Sequence, residues 1–428
     1  MSGAGDGSER IAILGSGISG LSLGWLLSRQ GRTVTIFEAS DRVGGLARTF
    51  EWHGVPCDLA PHRLHTHDTE VLSAIQGLVP LREFKRRSRI LMGGKQIQDP
   101  INPVELILRF PPRTGFKLVW GFLNRPKLPE ASFENLALNR YGQGLYDFFF
   151  EPYTRKMFGV PPHDISVVWG REKLRSSGLR DAIKRSSKTF FKSFWYPREG
   201  GYGAIAQAMR ASIRGEVLLE APVTGISFSG SRIAAVHYRR DGQERRFSCD
   251  RVFSTIPATR LASLFGERLD FRFRSIQLVY LNVRTPRVMP YHWVYFGDGD
   301  VVINRMAEFK NFHPDRPDVG NSVLCAEVTM DTDTPEDDVL SALYRYGLLR
   351  PGDVLDSMVL PEGYGYPVYD RGFESVKDRA EALFSRYDNL HRVGRNAEFR
   401  HIEVDEDLRS AMDCLHRLYG DEFVRVAP

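Results

Sequence analysis

Residues 10–40 read RIAILGSGISGLSLGWLLSRQGRTVTIFEAS, and three glycines in this run, Gly15, Gly17 and Gly20, decide how the rest of the chain is read. Ile11 to Leu14 is a short apolar strand, the glycines follow it at once, and an apolar pattern of helical period continues to Gln30. Thr33 to Phe37 is a second strand, closed by Glu38. A strand, a tight turn, a helix and a strand ending in an acid form the layout that binds a dinucleotide. Gly15 makes the turn, Gly17 lets the backbone approach a pyrophosphate, Gly20 lets helix and strand close up, and Glu38 accepts hydrogen bonds from a ribose. Ile18 and Ser19 present the first amides of the helix, and Ala39 follows the acid, so all three are assigned to the same site.

This unit serves NAD and FAD alike, and the continuation separates them. Residues 41–49, DRVGGLART, bring Arg42, Gly44, Gly45, Leu46, Ala47 and Arg48 directly after Glu38, and the chain then enters a loop rich in glycine, arginine and histidine. An NAD domain would alternate helices and strands here. The continuation resembles the second flavin motif of the amine oxidase, protoporphyrinogen oxidase and UDP-galactopyranose mutase superfamily. That resemblance implies tightly held FAD. It also implies an α/β fold, a Rossmann-type (glutathione-reductase-like) FAD-binding domain with an inserted mixed α+β substrate domain.

Further stretches carry the resemblance in the same order along the chain. APVTGI (221–226) looks like the strand whose Val223 backbone meets adenine. VGRNAEFRHIEVDEDLRSAM (393–412) is similar to the C-terminal flavin segment, which places Gly394 and Arg395 near the pyrophosphate and ribityl chain, and Glu403 and Val404 near the isoalloxazine and ribityl. The expected division is a leader at 1–9, an FAD-binding domain from 10–85, 195–270 and 385–428, and a substrate or lid domain from 86–194 and 271–384. Within these, Gly93–Gly94 and Asp241–Gly242 read as hairpin turns, Phe373 to Arg386 as a helix, and the last helix begins near Asp405 and Glu406.

The bulk composition narrows the classes. With 428 residues, 42% hydrophobic and 26% charged, the chain can bury a full core and divide into two or three domains. A formal charge of +5 is a mild excess on so large a surface and argues against nucleic acid as a partner. Cys57, Cys249, Cys325 and Cys414 are scattered, with no CxxC pair, as in a reducing cytoplasm. The start, MSGAGDGSER, lacks a basic segment followed by an apolar one, so it reads as a disordered leader and not a signal peptide. The most apolar stretch, Val104 to Leu123, is interrupted by Glu105, Arg109, Pro111, Pro112, Arg113 and Lys117, too often to span a membrane. Together with FKRRSR (84–89), the basic and apolar stretch to Lys127 reads as a helical lid over the active site; a seat for a lipid-like substrate or peripheral contact with a membrane is the less favoured reading.

APHRLHTHD (60–68) places His62, His65 and His67 close together, with Asp58 and Asp68 at hand. A metal would need these ligands to converge in space. PHRLHT resembles instead a loop of the mutase-like branch that sets its first histidine against the flavin ring, without metal, and this assigns Pro61, His62, Arg63 and Leu64 to the cofactor. His67 reads as a surface or core histidine, and His65 stays open. His62 and His401 are the candidate catalytic groups, since an imidazole can titrate near neutral pH and take a proton.

The substrate assignments come from the middle of the chain. EPYTRKMFGVPP (151–162) resembles a mutase motif that makes Tyr153 a substrate contact; WGREKLRSS (169–177) places Arg171 and Arg175 one helical turn apart, like an arginine that grips a diphosphate; INRMAEFKNF (303–312) supplies a second arginine, Arg305. Two forked guanidiniums suit a phosphate- or carboxylate-bearing small molecule. The sequence departs from the mutase pattern at Arg155, Phe158 and His401, where glutamate, tryptophan and tyrosine are usual. The first reading is therefore an FAD-dependent oxidoreductase moving a hydride from an anionic small molecule to flavin N5. The alternative is a mutase-like enzyme acting on a nucleotide sugar without net redox change.

Overall fold

The structure, a computed structural model, describes residues 9–173, 193–316 and 320–420. The opening strand, turn and helix lie at the middle of a five-stranded parallel sheet, in the order Leu390–Arg392, Arg251–Ser254, Ile11–Leu14, Val34–Phe37, Gly215–Leu218. All four residues of Ile11–Leu14 are buried. A parallel sheet needs cover on its faces, and the helix Ile18–Arg29 supplies it with no charged side chain before Arg29, so that every residue from Ile18 to Ser28 is buried. The C-terminal helix Val404–Tyr419 packs beside it through Leu408, Ala411, Met412 and Leu415. Its start is fixed by a capping box between Glu403 and Glu406.

Antiparallel strands make up the rest of the sheet structure. Val223–Ser229, Arg232–Arg240 and Gln243–Ser248 form a meander, turned at Asp241 and Gly242 with φ of 53° and 74°. A seven-stranded sheet runs in the order Val354–Pro367, Phe273–Val283, Ser322–Val328, Ile303–Glu308, Trp293–Phe296, Ser88–Met92, Lys95–Gln98, antiparallel except where Trp293–Phe296 meets Ser88–Met92. The Gly93–Gly94 hairpin falls at its far edge. Between its first two strands in sequence and the remaining five lies a mainly helical region: Pro103–Arg109, Pro112–Leu123, Phe133–Leu145, Glu151–Phe158 and Val167–Lys173.

One strand has no counterpart in the sequence reading, and two elements differ from it. Val354–Pro367 is a 14-residue strand although Pro361, Gly363 and Gly365 interrupt it. It is tolerated because it is an edge strand, bonded only to Phe273–Val283, where a missing amide does no harm. Thr49–Trp52 and Val55–Asp58, expected as loop, form a hairpin turned at His53 and Gly54, both with positive φ. The helix expected to reach Arg386 ends at Phe384.

Gly20 is where strand, turn and helix are closest. A Cβ there would lie 2.0 Å from the Gly15 carbonyl oxygen, which is backbone and cannot move aside. Gly20→Ala is therefore expected to destabilise the protein by about 2 kcal/mol or more, read as a lower urea midpoint at unchanged slope; an unchanged midpoint would mean that helix and turn are not in this contact.

Candidate active site

A cleft of about 740 Å³ opens where the parallel sheet, the Gly-rich turn and the larger sheet come together. At one end it is lined by Gly15, Gly17, Ile18, Ser19, Glu38 and Ala39. The helix Ile18–Arg29 starts at Gly17 with no capping side chain and no acid in its first turn, so its amides and the positive end of its dipole are available to an anion. A side chain at Gly17 would meet nothing within 4 Å, which leaves open space in front of those amides. The second glycine-rich segment closes over the turn: Gly17 and Gly44 bridge, and the Gly44 amide donates to the Ser16 carbonyl at 2.9 Å. Gly44, Gly45, Leu46, Ala47, Arg48 and, from the meander, Val223 complete this wall. Such an uncapped helix end beside close-packed glycines fits a dinucleotide pyrophosphate.

Glu38 does more than the motif suggests. One carboxylate oxygen accepts from the amide and hydroxyl of Ser16 at 2.8 and 2.7 Å, the other from the amide and hydroxyl of Ser40, both at 2.9 Å. It ties the turn to the segment after the second strand, and a ribose hydroxyl would have to replace a serine hydroxyl there.

Several assigned residues stand elsewhere. Arg42 is exposed and paired with its neighbour Asp41 at 3.1 Å, so it does not line the cleft. Leu64 is core, its backbone bonded to that of Trp195. Gly20 and Gly394 support the wall without lining it; a Cβ at Gly394 would reach within 2.0 Å of the Ser19 hydroxyl. Arg171 lies on the surface in an ion pair with Glu130 at 2.9 Å, away from the cleft, because the exposed end of its helix offers a nearer carboxylate. Arg175 lies outside the described residues.

Pro61, His62 and Arg63 line the middle of the cleft. The His62 ring stacks on Tyr202 at 5.3 Å, and its Nδ1 is 3.0 Å from the Ala60 carbonyl. A carbonyl only accepts, so Nδ1 carries the hydrogen and Nε2 the lone pair. Burial, and then the nearby Arg305 charge, lower the His62 pKa to about 4. The imidazole is thus neutral throughout the physiological range, in contrast to the near-neutral titration expected from its residue type. Beneath it, the buried Asp58 accepts from Thr49 Oγ1 at 2.6 Å, Tyr196 OH at 2.7 Å and the Tyr202 amide at 2.9 Å, which sets Tyr202 under the ring. His65 and His67 meet edge to face at 5.2 Å, and among the described residues no group of three or more His, Cys, Asp or Glu is placed to hold a metal.

Tyr153, Arg305 and His401 converge at the far end, joined by four residues that motif reading missed: Tyr295, Asn304, Glu327 and Tyr366. Glu327, at 0% exposure, accepts from Arg305 Nη2 at 2.8 Å, Asn304 Nδ2 at 2.8 Å and Tyr366 OH at 2.6 Å. Arg305 sits directly across from both Tyr295 and Glu327 in the sheet, and the irregularity between Ile303 and Arg305 makes Asn304 an extra residue, which turns its amide toward the same carboxylate. Burial opposes ionisation of both groups, yet their attraction holds the Glu327 carboxyl below its ordinary value and the Arg305 guanidinium well above its own. Tyr366 stacks on His401 at 5.7 Å. Tyr153 is carried by Glu151–Phe158, which is pinned by the buried Lys156: its ammonium donates to the carbonyls of Phe296, Asp298 and Ile303. An acid inside the apolar run VLCAEV was the available signal for Glu327, since a charge there must have a partner.

Comparison with known proteins adds a family. Residues 18–343 match flavin-containing amine oxidoreductases. The chain belongs to that family. Its cofactor is FAD, and it is a flavin-dependent enzyme. It is 27% identical over 197 residues to protoporphyrinogen oxidase 2 of Arabidopsis thaliana, a match covering 41% of this chain and 39% of that protein. It is 22% identical over 423 residues to UDP-galactopyranose mutase of Mycoplasma pneumoniae, 94% of each. The chain thus spans about two fifths of the length of the protoporphyrinogen oxidases it matches. In fold it is similar to a crystal structure of reduced UDP-galactopyranose mutase, with a TM-score of 0.82 at 20% identity over 96% of this chain and 94% of that one.

The open space at Gly17 separates two outcomes. Gly17→Ala, at a φ of −66° that any residue adopts, is expected to leave the stability of the apoprotein unchanged and to lower FAD retention at least about tenfold, measured by flavin fluorescence after gel filtration. Full retention would place the pyrophosphate elsewhere.

Proposed function

We propose that the protein is an FAD-dependent oxidoreductase that takes a hydride from a C–H bond of a small molecule bearing one anionic group. The observation that supports this most is the Arg305–Glu327 pair. Glu327 engages the guanidinium at Nη2, while the Arg305 side chain keeps 13% exposure and lines the cleft. The pair adds no net charge to the cleft but keeps donor capacity for one carboxylate or phosphate oxygen.

Bound FAD would supply the two-electron acceptor, held by the Gly15–Ser19 turn, the Gly44–Arg48 segment, Val223, and the Arg395 and Glu403–Val404 segment. The chain's own residues then orient the substrate and handle a proton. Arg305 receives the anionic group, and Tyr153, Tyr295 and Tyr366 wall the space with aromatic surface that excludes water. His62 presents Nε2 as an acceptor to a substrate N–H or O–H, and being neutral it needs no prior deprotonation. His401, stacked on Tyr366, closes the other side.

The second reading, a sugar mutase without net redox change, draws support from the mutase likeness over 94% of the chain. Against it, the arginines expected to grip a diphosphate do not both reach the cleft among the described residues: Arg305 lines it, engaged by Glu327, while Arg171 is on the surface. Anaerobic titration of the purified yellow protein separates the two. A panel of small amines and hydroxy compounds with one carboxylate or phosphate is expected to contain a member that bleaches the oxidised flavin band without added reductant. Conversion of UDP-galactopyranose only after dithionite reduction, with the flavin still reduced at the end, would sink the oxidoreductase reading.

A further inference from the structure

A surface helix usually buries its large apolar side chains, but the helices Pro103–Arg109 and Pro112–Leu123 bury only Leu106 and Leu118 and expose most of the rest. Pro112–Leu123 buries Gly115, Leu118 and Gly121 and turns Phe116, Trp120 and Leu123 outward, 66%, 59% and 73% exposed. The reason is steric. A Cβ on Gly121 would lie 2.4 Å from the Gly144 amide nitrogen, and one on Gly144 2.2 Å from the Lys117 carbonyl oxygen, so this helix packs backbone to backbone on Phe133–Leu145. Only glycine fits at these two contacts; Leu118 still turns inward, and Phe116, Val119, Trp120 and Leu123 are left outside.

The result is one concentrated patch. Among the described residues, eight of the twelve exposed large apolar side chains lie between Val104 and Leu128. No residue of the two helices lines the cleft, so this face does not act as a lid over it. Interspersed are five exposed cations, Arg109, Arg113, Lys117, Arg125 and Lys127, against a single acid, Glu105, whose carboxylate is engaged by the Gln98 amide and Arg109. Five cations and one acid leave a local charge of +4.

We propose that this helical pair docks the protein on the surface of a bilayer carrying anionic headgroups. Phe116, Trp120, Leu123 and Leu108 enter the boundary between headgroups and acyl chains, and the surrounding arginines and lysines meet lipid phosphates. The helices, 7 and 12 residues long, lie along the surface; among the described residues no helix is long and apolar enough to cross a membrane. Charge selects this occupant over a second copy of the chain, because two identical faces would each bring +4 to the contact.

The test is flotation of the full-length, FAD-loaded protein with vesicles of phosphatidylcholine alone or mixed with phosphatidylglycerol. Binding to the mixed vesicles is expected, weakened by added salt and far weaker on phosphatidylcholine alone. Trp120→Glu combined with Leu123→Glu removes two exposed side chains and should lower partitioning at least about tenfold with flavin spectrum and thermal midpoint unchanged. Arg113→Glu with Lys117→Glu should reduce binding to mixed vesicles to the level of neutral ones. Absence of wild-type binding, or equal recovery of wild type and the Trp120/Leu123 variant, overturns the proposal. So does a wild-type dimer that the same variant converts to monomer without any vesicle binding, which would give the face to a second copy.

Discussion

A carboxylate with no exposure, set in a seven-stranded sheet, governs the cleft. Glu327 lies on Ser322–Val328, a strand buried at every position, and an unpaired charge there would lose its hydration without compensation. Three donors answer it from two strands: Arg305 and the bulged Asn304 from the paired strand Ile303–Glu308, and Tyr366 from the edge strand Val354–Pro367. The carboxylate therefore joins the ends of three strands. The same pair sets the chemistry, since Arg305 adds its charge to the effect of burial in keeping His62 neutral while Glu327 keeps the cavity from becoming a strongly cationic anion trap.

Around that pair, positioning is handed on through buried polar groups. Asp58 holds Tyr202, which stacks under His62, and Tyr366 stacks against His401. Lys156 gathers three carbonyls of the segment next to Tyr295 and so fixes the helix that carries Tyr153. The helical region that delivers Tyr153 to the cleft also carries the outward apolar face on Pro112–Leu123, so one inserted stretch serves the interior and the surface with opposite faces.

The nucleotide end was legible in the sequence because its determinants are local: apolar period, glycine spacing, and backbone groups whose positions follow from the turn. The substrate end was less so. Whether an arginine faces a cleft or a surface carboxylate depends on partners that can lie far away in sequence, and Arg171 had such a partner in Glu130. Leu64 is turned into the core by an isolated bridge to Trp195, a partner far along the chain that the local residues do not reveal. Tyr366 was hidden because proline and glycine in Val354–Pro367 argue against a strand unless it is known to be at an edge. The His62 pKa is a property of enclosure and of Arg305, and neither is visible in PHRLHT.

The coupling between Arg305 and Glu327 is the most direct measure of this account. A double-mutant cycle on urea unfolding of the FAD-loaded protein, with Arg305→Met, Glu327→Gln and the pair of changes together, isolates it. Each single change leaves a buried charge or donor without its partner and should lose about 3 kcal/mol, whereas the double variant should lose clearly less than the sum. Losses that simply add would mean that the two groups do not form a coupled buried pair, and the neutral cleft built on them would be contradicted.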